Sequence, residues 1–402
     1  MVWITGCYNT ASGYKSMRNN STGSLNTAMG SFAMCKATTG DWNDAFGVNA
    51  AFNNTTACNN TAIGGCSLFA NTTGSNNVAV GKCALVASTC AQWNTAVGVE
   101  SQGSTTGSYN ISVGGKTLAS NTTGSKNVAV GYRVLCSNTT GLNNTAIGAF
   151  TLNANTEGRC NTASGYAAMY LNTTGCRNTA VGDCALHDNT TGNDNVAIGR
   201  HALVNNTTAG VNTAVGSCAL LSNTTGASLV GMGYLALAAN TTGIRNTALG
   251  VYSQRYTSTG NFNTSSGYMS LCSNSTGGHN TAVGDQALRN NTTGNDNVAL
   301  GYSAGFNNTT GCNNIFLGTN ACACVATYCN AVAIGKSAIA CGNDWFELGH
   351  SSHTINIPSG KLKINGSAGS NGQVLTTDGA GGISWTSVAG TGTGSVSLSA
   401  CQ

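Results

Sequence analysis

The feature that most constrains this chain is a 17-residue motif that is repeated about twenty times between Asn9 and the region of Ile339. One copy runs from Asn280 to Asp296 and reads NTAVGDQALRNNTTGND. A fixed short period indicates a solenoid, in which each unit packs against only its two neighbours. The step between copies is 17 residues, except for one step of 16 before the seventh copy. The copies begin at Asn9, Asn26, Asn43, Asn60, Asn77, Asn94, Asn110, Asn127, Asn144, Asn161, Asn178, Asn195, Asn212, Leu229, Asn246, Asn263, Asn280, Asn297, Asn314 and Ala331.

The composition of one copy predicts one β-coil. Counting from the first Asn, position five is always Gly, which indicates a corner that needs a positive φ or close packing. Position four is mostly Val, Ile or Leu and position nine mostly Leu or Met, so we expect both rows to face inward. Asn-Thr-Thr-Gly at positions twelve to fifteen is a turn composition, and the many Gly, Asn and Thr residues disfavour a helix. Each coil is therefore predicted to be a short strand, a Gly corner, a second short strand and a polar turn. Representative predicted corners are Gly64, Gly81, Gly182, Gly199, Gly284 and Gly301.

Asparagine recurs at position one in all but two copies and often at position twelve, for example at Asn121 and Asn189. Stacked Asn side chains can form a hydrogen-bonded ladder along a solenoid axis. The alternative is N-glycosylation, because Asn-Thr-Thr is formally an acceptor sequence. We favour the structural interpretation, since these sequences simply follow the predicted turn.

The fold class predicted for the chain is an all-β parallel β-solenoid, or β-roll, of about twenty 17-residue coils with a small C-terminal β segment. Residues 1–8 are a lead-in and residues 9–342 are the solenoid. Residues 343–366 are a short β cap or connector, in which 353–358 and 361–364 alternate as half-buried strands do. Residues 367–402 are a Gly- and Ser-rich connector.

The chain has 18 cysteines, which is more than an ordinary cytosolic protein carries. Several are 17 residues apart, and one coil corresponds to about 4.8 Å between backbones. That distance lies within the Cα–Cα range of about 4.4–6.8 Å that a disulfide tolerates. The sequence leaves open whether these cysteines bridge adjacent coils or serve as small buried apolar residues. The candidate pairs are Cys66–Cys83, Cys312–Cys329 and Cys324–Cys341.

Composition argues against several functional classes. Charged residues are 7% of the chain and the net charge is +4 without a basic run, so no nucleic-acid partner is expected. No apolar run approaches the roughly 18 residues of a membrane span, and the first residues do not resemble a signal peptide. No nucleophile motif or phosphate-binding loop occurs, so we expect neither an enzyme nor a cofactor. Glu347, His350 and His353 form the one metal-like group, which we interpret as strand-surface residues rather than a metal site.

Two stretches resemble known families. NVAVGKCAL at Asn77 and NTAIGGCSL at Asn60 resemble the head repeats of trimeric autotransporter adhesins. That resemblance implies a left-handed parallel β-roll with three chains side by side. GQVLTTDGAGGISW, from Gly372 to Trp385, resembles segments of phage and virus tail-fibre proteins. Autotransporters also carry a signal peptide, a coiled-coil stalk and a membrane barrel. We recognise none of these in this sequence, so we expect a viral fibre rather than a bacterial surface adhesin.

These resemblances therefore imply a homotrimeric fibre on a virion surface, which we expect to bind a glycan or protein receptor on the host. Recognition would use outward turn residues and aromatic exceptions such as Tyr109, Tyr132, Tyr252 and Tyr256. One alternative is a self-assembling extracellular filament or surface adhesin. Ice binding by rows of Thr is a weaker alternative, because Val78, Ile111 and Val128 interrupt the row at position two.

Overall fold

The structure is a computed structural model that describes residues 5–354, 373–377 and 383–387. The chain divides into two units, Met1–His350 and Ser351–Gln402. In the described ranges every regular element is a β-strand, so the all-β fold class is confirmed. The strands are β1 (Thr10–Ser12), β2 (Thr27–Met29), β3 (Asp44–Phe46), β4 (Thr61–Ile63), β5 (Val78–Val80), β6 (Thr95–Val97), β7 (Ile111–Val113), β8 (Val128–Val130), β9 (Thr145–Ile147), β10 (Thr162–Ser164), β11 (Thr179–Val181), β12 (Val196–Ile198), β13 (Thr213–Val215), β14 (Val230–Met232), β15 (Thr247–Leu249), β16 (Thr264–Ser266), β17 (Thr281–Val283), β18 (Val298–Leu300), β19 (Ile315–Leu317), β20 (Cys322–Ala323), β21 (Val332–Ile334), β22 (Ile339–Ala340), β23 (Phe346–Leu348), β24 (Gln373–Thr377) and β25 (Ile383–Ser387).

The first unit is a parallel β-solenoid with one strand of the long sheet in each coil. Neighbouring strands pair in parallel with like positions aligned, so that Thr179 pairs with Val196 and Val181 with Ile198. The sheet has 21 strands, and it passes over the 16-residue coil by pairing Thr95 with Ile111. Its last strand, β23, pairs with β21 and lies in the segment predicted to be a cap or connector. The predicted solenoid of about twenty 17-residue coils is thus confirmed.

The interior is lined by positions three, eight and nine. Ala62 at position three and Leu68 at position nine are fully buried, whereas Ile63 at position four is 41% exposed. The prediction for position nine is confirmed, but the prediction that position four faces inward was wrong. Successive side chains of a strand point to opposite faces, so position four must point outward once the middle residue, position three, points inward. A narrow coil accommodates Ala there, opposite the Leu of position nine.

The Gly corners have the predicted backbone conformation. Gly182 has φ +133°, and a Cβ on it would lie 2.6 Å from the carbonyl oxygen of Gly199 in the next coil. Glycine is thus required twice, by the positive φ and by the close approach of the next coil. The other corners predicted by number behave alike: Gly64 (φ +123°), Gly81 (+132°), Gly199 (+127°), Gly284 (+132°) and Gly301 (+133°).

The prediction of a second strand after the corner was wrong for most coils. A stacked turn replaces it, and only β20 and β22 form a short second sheet. In this turn positions seven and nine adopt left-handed conformations, for example Cys66 with φ 57° and Leu68 with φ 49°. The Cys66 N–H donates to Val48 of the preceding coil and the Leu68 N–H to Ala84 of the following coil, both at 2.9 Å. The turn therefore bonds to both neighbours without being a strand.

Two buried asparagine ladders run along the solenoid, as predicted. At position twelve, Asn155 Nδ2 donates to Asn138 Oδ1 at 2.8 Å, and Asn172 Nδ2 donates to Asn155 Oδ1 at 2.8 Å. At position one, the Asn161 N–H donates to Asn144 Oδ1 at 3.0 Å, which repeats from coil to coil. These side chains are buried and their Nδ2 atoms already donate hydrogen bonds, so the folded ladder does not offer them for glycosylation.

Two polar residues divide the apolar core into three segments. Gln102 and Gln254 occupy position nine, where most other coils have Leu or Met. Gln254 Nε2 donates to the Thr247 carbonyl at 2.8 Å and to Ser265 Oγ at 2.9 Å. Within the described residues the Oε1 atoms of both glutamines are buried without a hydrogen-bond donor. The core segments on either side run from Met17 to Ala96, from Leu118 to Ala248 and from Leu271 to Ala340.

The second unit contains a two-stranded antiparallel hairpin. Strand β24 pairs with β25 in a register that joins Gln373 to Ser387 and Thr377 to Ile383. The predicted small C-terminal β segment is therefore confirmed, and it coincides with the tail-fibre-like stretch. The alternating strands predicted at 353–358 and 361–364 fall almost entirely outside the described residues.

Candidate functional site

The outer face of the long sheet is a nearly uncharged surface made by positions two and four of the 21 strands, with a mostly aliphatic row at position four and Thr in 11 of the strands at position two. We call it the strand face. Ile147 is 46% exposed and Leu300 is 53% exposed, because the strand pleat turns both positions away from the interior. Asp44 is the only charged residue at these two positions of the described sheet. The face therefore presents rows of Val, Ile, Leu and Thr with almost no charge.

Aromatic residues gather at a second surface, after the Gly corner. The first aromatic cluster is Tyr132, Phe150 and Tyr166, with ring centroids 5.6 and 5.9 Å apart in edge-to-face arrangements. Tyr170 lies next to it and stacks on His187 at 5.2 Å. The rings of Phe150, Tyr166, Tyr170 and His187, together with Ala167 and Cys184, line an open groove of about 270 Å³.

A second aromatic cluster repeats the first at a distance of six coils. Tyr234, Tyr252 and Tyr268 stand 102 residues after the members of the first cluster, and their centroids are 5.5 and 6.1 Å apart. Arg255 lies over the rings of Tyr252 and Tyr256, at 5.0 and 4.9 Å from the centroids. At about 4.8 Å per coil, the clusters are about 29 Å apart along one edge. Three of the aromatic residues that the sequence analysis singled out, Tyr132, Tyr252 and Tyr256, belong to this surface.

The cysteines stack in rows, as their spacing indicates. Cys324 and Cys341 form a disulfide, with Cα atoms 4.9 Å apart. The pairs Cys66–Cys83 and Cys312–Cys329 are free thiols in this structure, and for them a bridge stays a prediction. The Cys312 N–H donates to Cys329 Sγ at 3.1 Å. The neighbouring Cys329 thiol, together with burial, raises the pKa of the Cys312 thiol.

Of the metal-like group expected near the C-terminal end, Glu347 lies in β23 and accepts a hydrogen bond from Trp345 Nε1 at 3.2 Å. His350 belongs to the first unit and His353 to the second, so their grouping stays a prediction. A different group emerges on the solenoid. Potential ligand atoms of Asp183, Cys184 and His201 all lie within 4.8 Å of one another.

The signal for that group was present in the sequence but went unused. Asp183 and Cys184 are positions six and seven of one copy, and His201 is position seven of the next. A 17-residue step brings like positions one coil apart, the same argument that paired the cysteines. It was not applied across residue types, and therefore this cluster was missed.

Charged side chains also pair along the axis. Arg177 Nε donates to Asp194 Oδ1 at 2.7 Å and its Nη2 to Oδ2 at 2.9 Å, one coil apart. These hydrogen bonds, with the attraction of opposite charges, lower the pKa of the Asp194 carboxyl below its ordinary value. Both side chains are exposed, so the pair adds little stability.

The geometry defines a class: a parallel β-solenoid with one strand per 17-residue coil, one nearly uncharged outer face and an aromatic-rich edge. No family model matches the chain, and no curated protein or solved structure matches it either. The described residues include no helix that is long and apolar enough to span a membrane.

Proposed function

We propose that the protein is the subunit of a homotrimeric fibre or spike of a virus or phage, which attaches the particle to a host surface. The observation that carries the proposal is the strand face, which runs along the whole solenoid, is almost uncharged and has a mostly aliphatic row at position four. In the virion, copies of the same chain cover this face, and the aromatic edge remains outward. The location that goes with this role is the virion surface, or otherwise the extracellular space.

The size of the strand face supports its burial between chains. Twenty-one strands at about 4.8 Å give a length of about 100 Å, and the two outward rows are about 7 Å apart. The resulting area is about 700 Å², with the Thr side chains of position two included. It is close to the roughly 800 Å² that one partner buries in a standard protein interface.

A second copy of the chain suits this face better than an unrelated partner. The face repeats with one period along its length, and an identical solenoid has the same rise per coil, so rows remain in phase over the full length. Such a contact also needs no complementary charge, because Asp44 is its sole charged residue in the described sheet. The number three comes from the resemblance to autotransporter head repeats, in which three β-rolls lie side by side.

The aromatic edge supports the attachment role. Tyr132 and Tyr166 are 50% and 57% exposed, and Tyr and Arg are the residues that most often dominate recognition surfaces. Repetition of the cluster after six coils offers two equivalent contacts on each chain. Two weak contacts on one rigid rod bind a receptor-bearing surface more strongly than either alone.

The oligomer is tested with charges placed on the strand face. The double variant Ile147→Asp/Ile198→Asp introduces two carboxylates that would be buried between copies, and we expect it to be monomeric. The matched control Thr140→Asp/Thr191→Asp places the same charges on the exposed turn, at position fourteen, and should keep the oligomer. Light scattering after size-exclusion chromatography measures both. If the strand-face variant and the control have the same mass, the strand face is not the interface.

Attachment itself is tested by competition. Purified wild-type protein should reduce adsorption of virus particles to their host, and a variant with Tyr132, Tyr166, Tyr234 and Tyr268 replaced by Ala should compete less well. Unimpaired competition by that variant would contradict the role of the aromatic edge, while absence of competition by the wild type would contradict attachment.

A self-assembling filament is the second candidate, and β1 favours it. Thr10, Ala11 and Ser12 are all exposed, whereas Ala at the same position is buried in the coils that follow. Within the described residues β1 pairs with β2 alone, and a strand edge without a partner can pair with another solenoid end to end. Electron microscopy separates the two: a fibre subunit gives rods with one length near 100 Å, and a filament gives many lengths.

Ice binding has less support. The Thr hydroxyls at position thirteen donate to carbonyls of the next coil, as Thr139 Oγ1 does to Thr156 at 3.0 Å. They are therefore engaged within the protein instead of ordering water, and the strand face mixes Thr with Val and Ile. A thermal-hysteresis measurement tests this alternative.

A further inference from the structure

We infer that Asp183, Cys184 and His201 form a binding site for one divalent zinc ion on the edge of the solenoid. Their carboxylate, sulfur and imidazole ligand atoms lie within 4.8 Å of one another on two adjacent coils. The inference is independent of the fibre role, since it concerns only side chains within one chain.

The scaffold holds the three ligands in register. The N–H of Cys184 donates to Tyr166 at 2.9 Å, and the N–H of His201 donates to Asp183 at 3.0 Å. These bonds tie both ligand-bearing positions to the ladder on neighbouring coils. Cys184 and His201 share a left-handed backbone, with φ of 51° and 57°, so their side chains leave the same row in the same direction. Ligands carried by a rigid, hydrogen-bonded element need little rearrangement to close on an ion.

The chemistry of the donor set selects the ion. A thiolate and an imidazole suit Zn²⁺, whereas oxygen donors alone suit Ca²⁺ or Mg²⁺. Three protein ligands leave the fourth tetrahedral position to water, as in zinc sites that remain open. As the sulfur–zinc bond forms, the Cys184 thiol releases its proton to solvent. The thiolate and the Asp183 carboxylate together balance the charge of the ion.

Neighbouring groups are arranged to support the ligands. One carboxylate oxygen of Asp183 accepts a hydrogen bond from the Cys184 thiol at 3.4 Å. The other carboxylate oxygen lies 3.7 Å from Arg200 Nε. The guanidinium thus holds the outer oxygen and leaves the oxygen that faces Cys184 for the ion. Cys218 occupies the same row one coil beyond His201 but is not among the ligand atoms that lie within 4.8 Å of one another. Asp183 is exposed and the other two ligands are partly exposed, so an ion reaches the site from solvent.

The chain contains its own negative control. Six coils further on, Asp285, Gln286 and Ser303 occupy the positions equivalent to the three ligands. The backbone there is the same, with φ of 59° at Gln286 and 52° at Ser303 and a 2.9 Å hydrogen bond from the Ser303 N–H to Asp285. Only the acid is retained, so the repeat has the geometry of the site without its sulfur and imidazole.

The test is the alkylation of individual cysteines in the reduced full-length protein, with and without Zn²⁺, quantified by mass spectrometry of peptides. Zinc should slow alkylation of Cys184 at least about tenfold, and His201→Asn or Asp183→Asn should remove that protection, because even losing a residue that only orients a ligand weakens metal binding about 10–100-fold. The matched variant Asp285→Asn should leave protection unchanged. Equal alkylation rates of Cys184 with and without zinc, or full protection in His201→Asn, would overturn the site.

A gain-of-site variant tests sufficiency. Gln286→Cys/Ser303→His rebuilds the ligand set beside Asp285, and we expect it to bind one more zinc ion per chain than the wild type. The measurement is zinc retained after gel filtration, with circular dichroism to verify the fold. If the folded variant binds no additional zinc, this arrangement of side chains is not a zinc site.

Discussion

The adjacent glycines Gly64 and Gly65 should respond oppositely to the same substitution. A Cβ on Gly64 would lie 2.7 Å from both the carbonyl carbon and the oxygen of Gly81 in the next coil, and the backbone has φ +123°. A Cβ on Gly65 would meet nothing closer than 3.9 Å, the carbonyl oxygen of Val48. A methyl group added at Gly64 would therefore clash with the next coil, whereas the same group added at Gly65 would lie in open space.

The magnitude for Gly64→Ala follows from the strain and from the bonds that the clash disturbs. A side chain in this region of φ costs about 1–3 kcal/mol. Separating the coils weakens the bonds from Gly64 to Phe46 (2.8 Å) and from Gly81 to Ile63 (2.7 Å), each worth about 1 kcal/mol. We expect a loss of about 3–5 kcal/mol in the free energy of unfolding of this region. Gly65→Ala should instead stabilise it by about 0.4–1 kcal/mol, because alanine restricts the unfolded chain.

Hydrogen exchange measured by mass spectrometry suits a solenoid, whose coils unfold locally and not always in one step. Gly64→Ala should increase exchange in the coils around residues 44–98 and leave the coils beyond Gln254 unchanged. Gly65→Ala should exchange as slowly as the wild type or more slowly. Equal exchange in the two variants would refute the argument that corner glycines are required by the approach of the next coil.

Three further predictions follow from the core, the disulfide and the surface ion pair. Asn155→Ala should destabilise its region by about 2–4 kcal/mol. The reason is that Asn172 Nδ2 loses the acceptor that the Asn155 side chain provided, and Asn138 Oδ1 loses its donor. A denaturation midpoint equal to that of the exposed-turn variant Thr140→Ala would contradict this prediction. Reducing Cys324–Cys341 should cost about 3 kcal/mol for a closed loop of 17 residues, seen as faster exchange in the last coils only, and the double Ser variant should show no further change with reductant. Arg177→Gln should raise the pKa of Asp194 towards its ordinary value, measured by NMR titration of the carboxyl. Because Arg177 lowers the pKa of Asp194 in the folded protein, the pair stabilises the fold at pH values above the unfolded pKa of about 3.9. This contribution is lost as the pH falls through the lowered pKa. An unchanged Asp194 pKa in that variant would show that the pair does not exist in solution.

The repeat period correctly predicted which residues lie beside each other in neighbouring coils. It did not predict whether a side chain points into the solenoid or out of it. A 17-residue step is enough to place Thr179 beside Val196 and Asn155 beside Asn172, whatever the shape of the coil. It does not say which way a side chain points, and a three-residue strand is too short for alternation to be recognised. Ile63 was therefore assigned to the interior, although Ala62 occupies it.

The turn after each corner could not be predicted for a related reason. Leu68 has a left-handed backbone that Leu seldom adopts, and it persists because its N–H bonds to Ala84 and its side chain is buried in the core. These are contacts between coils, so they are invisible in a local reading of residue preferences. The zinc-site residues Asp183 and His201 needed the same step from one coil to the next.

Native mass spectrometry of the wild-type protein shows whether copies of the same chain close the strand face. One chain has a mass of 40.3 kDa. We expect a single species of three times that mass, in the presence and absence of reductant. A species of 40.3 kDa at micromolar protein concentration would contradict the proposed interface, since the exposed face would then be stable in water without a partner.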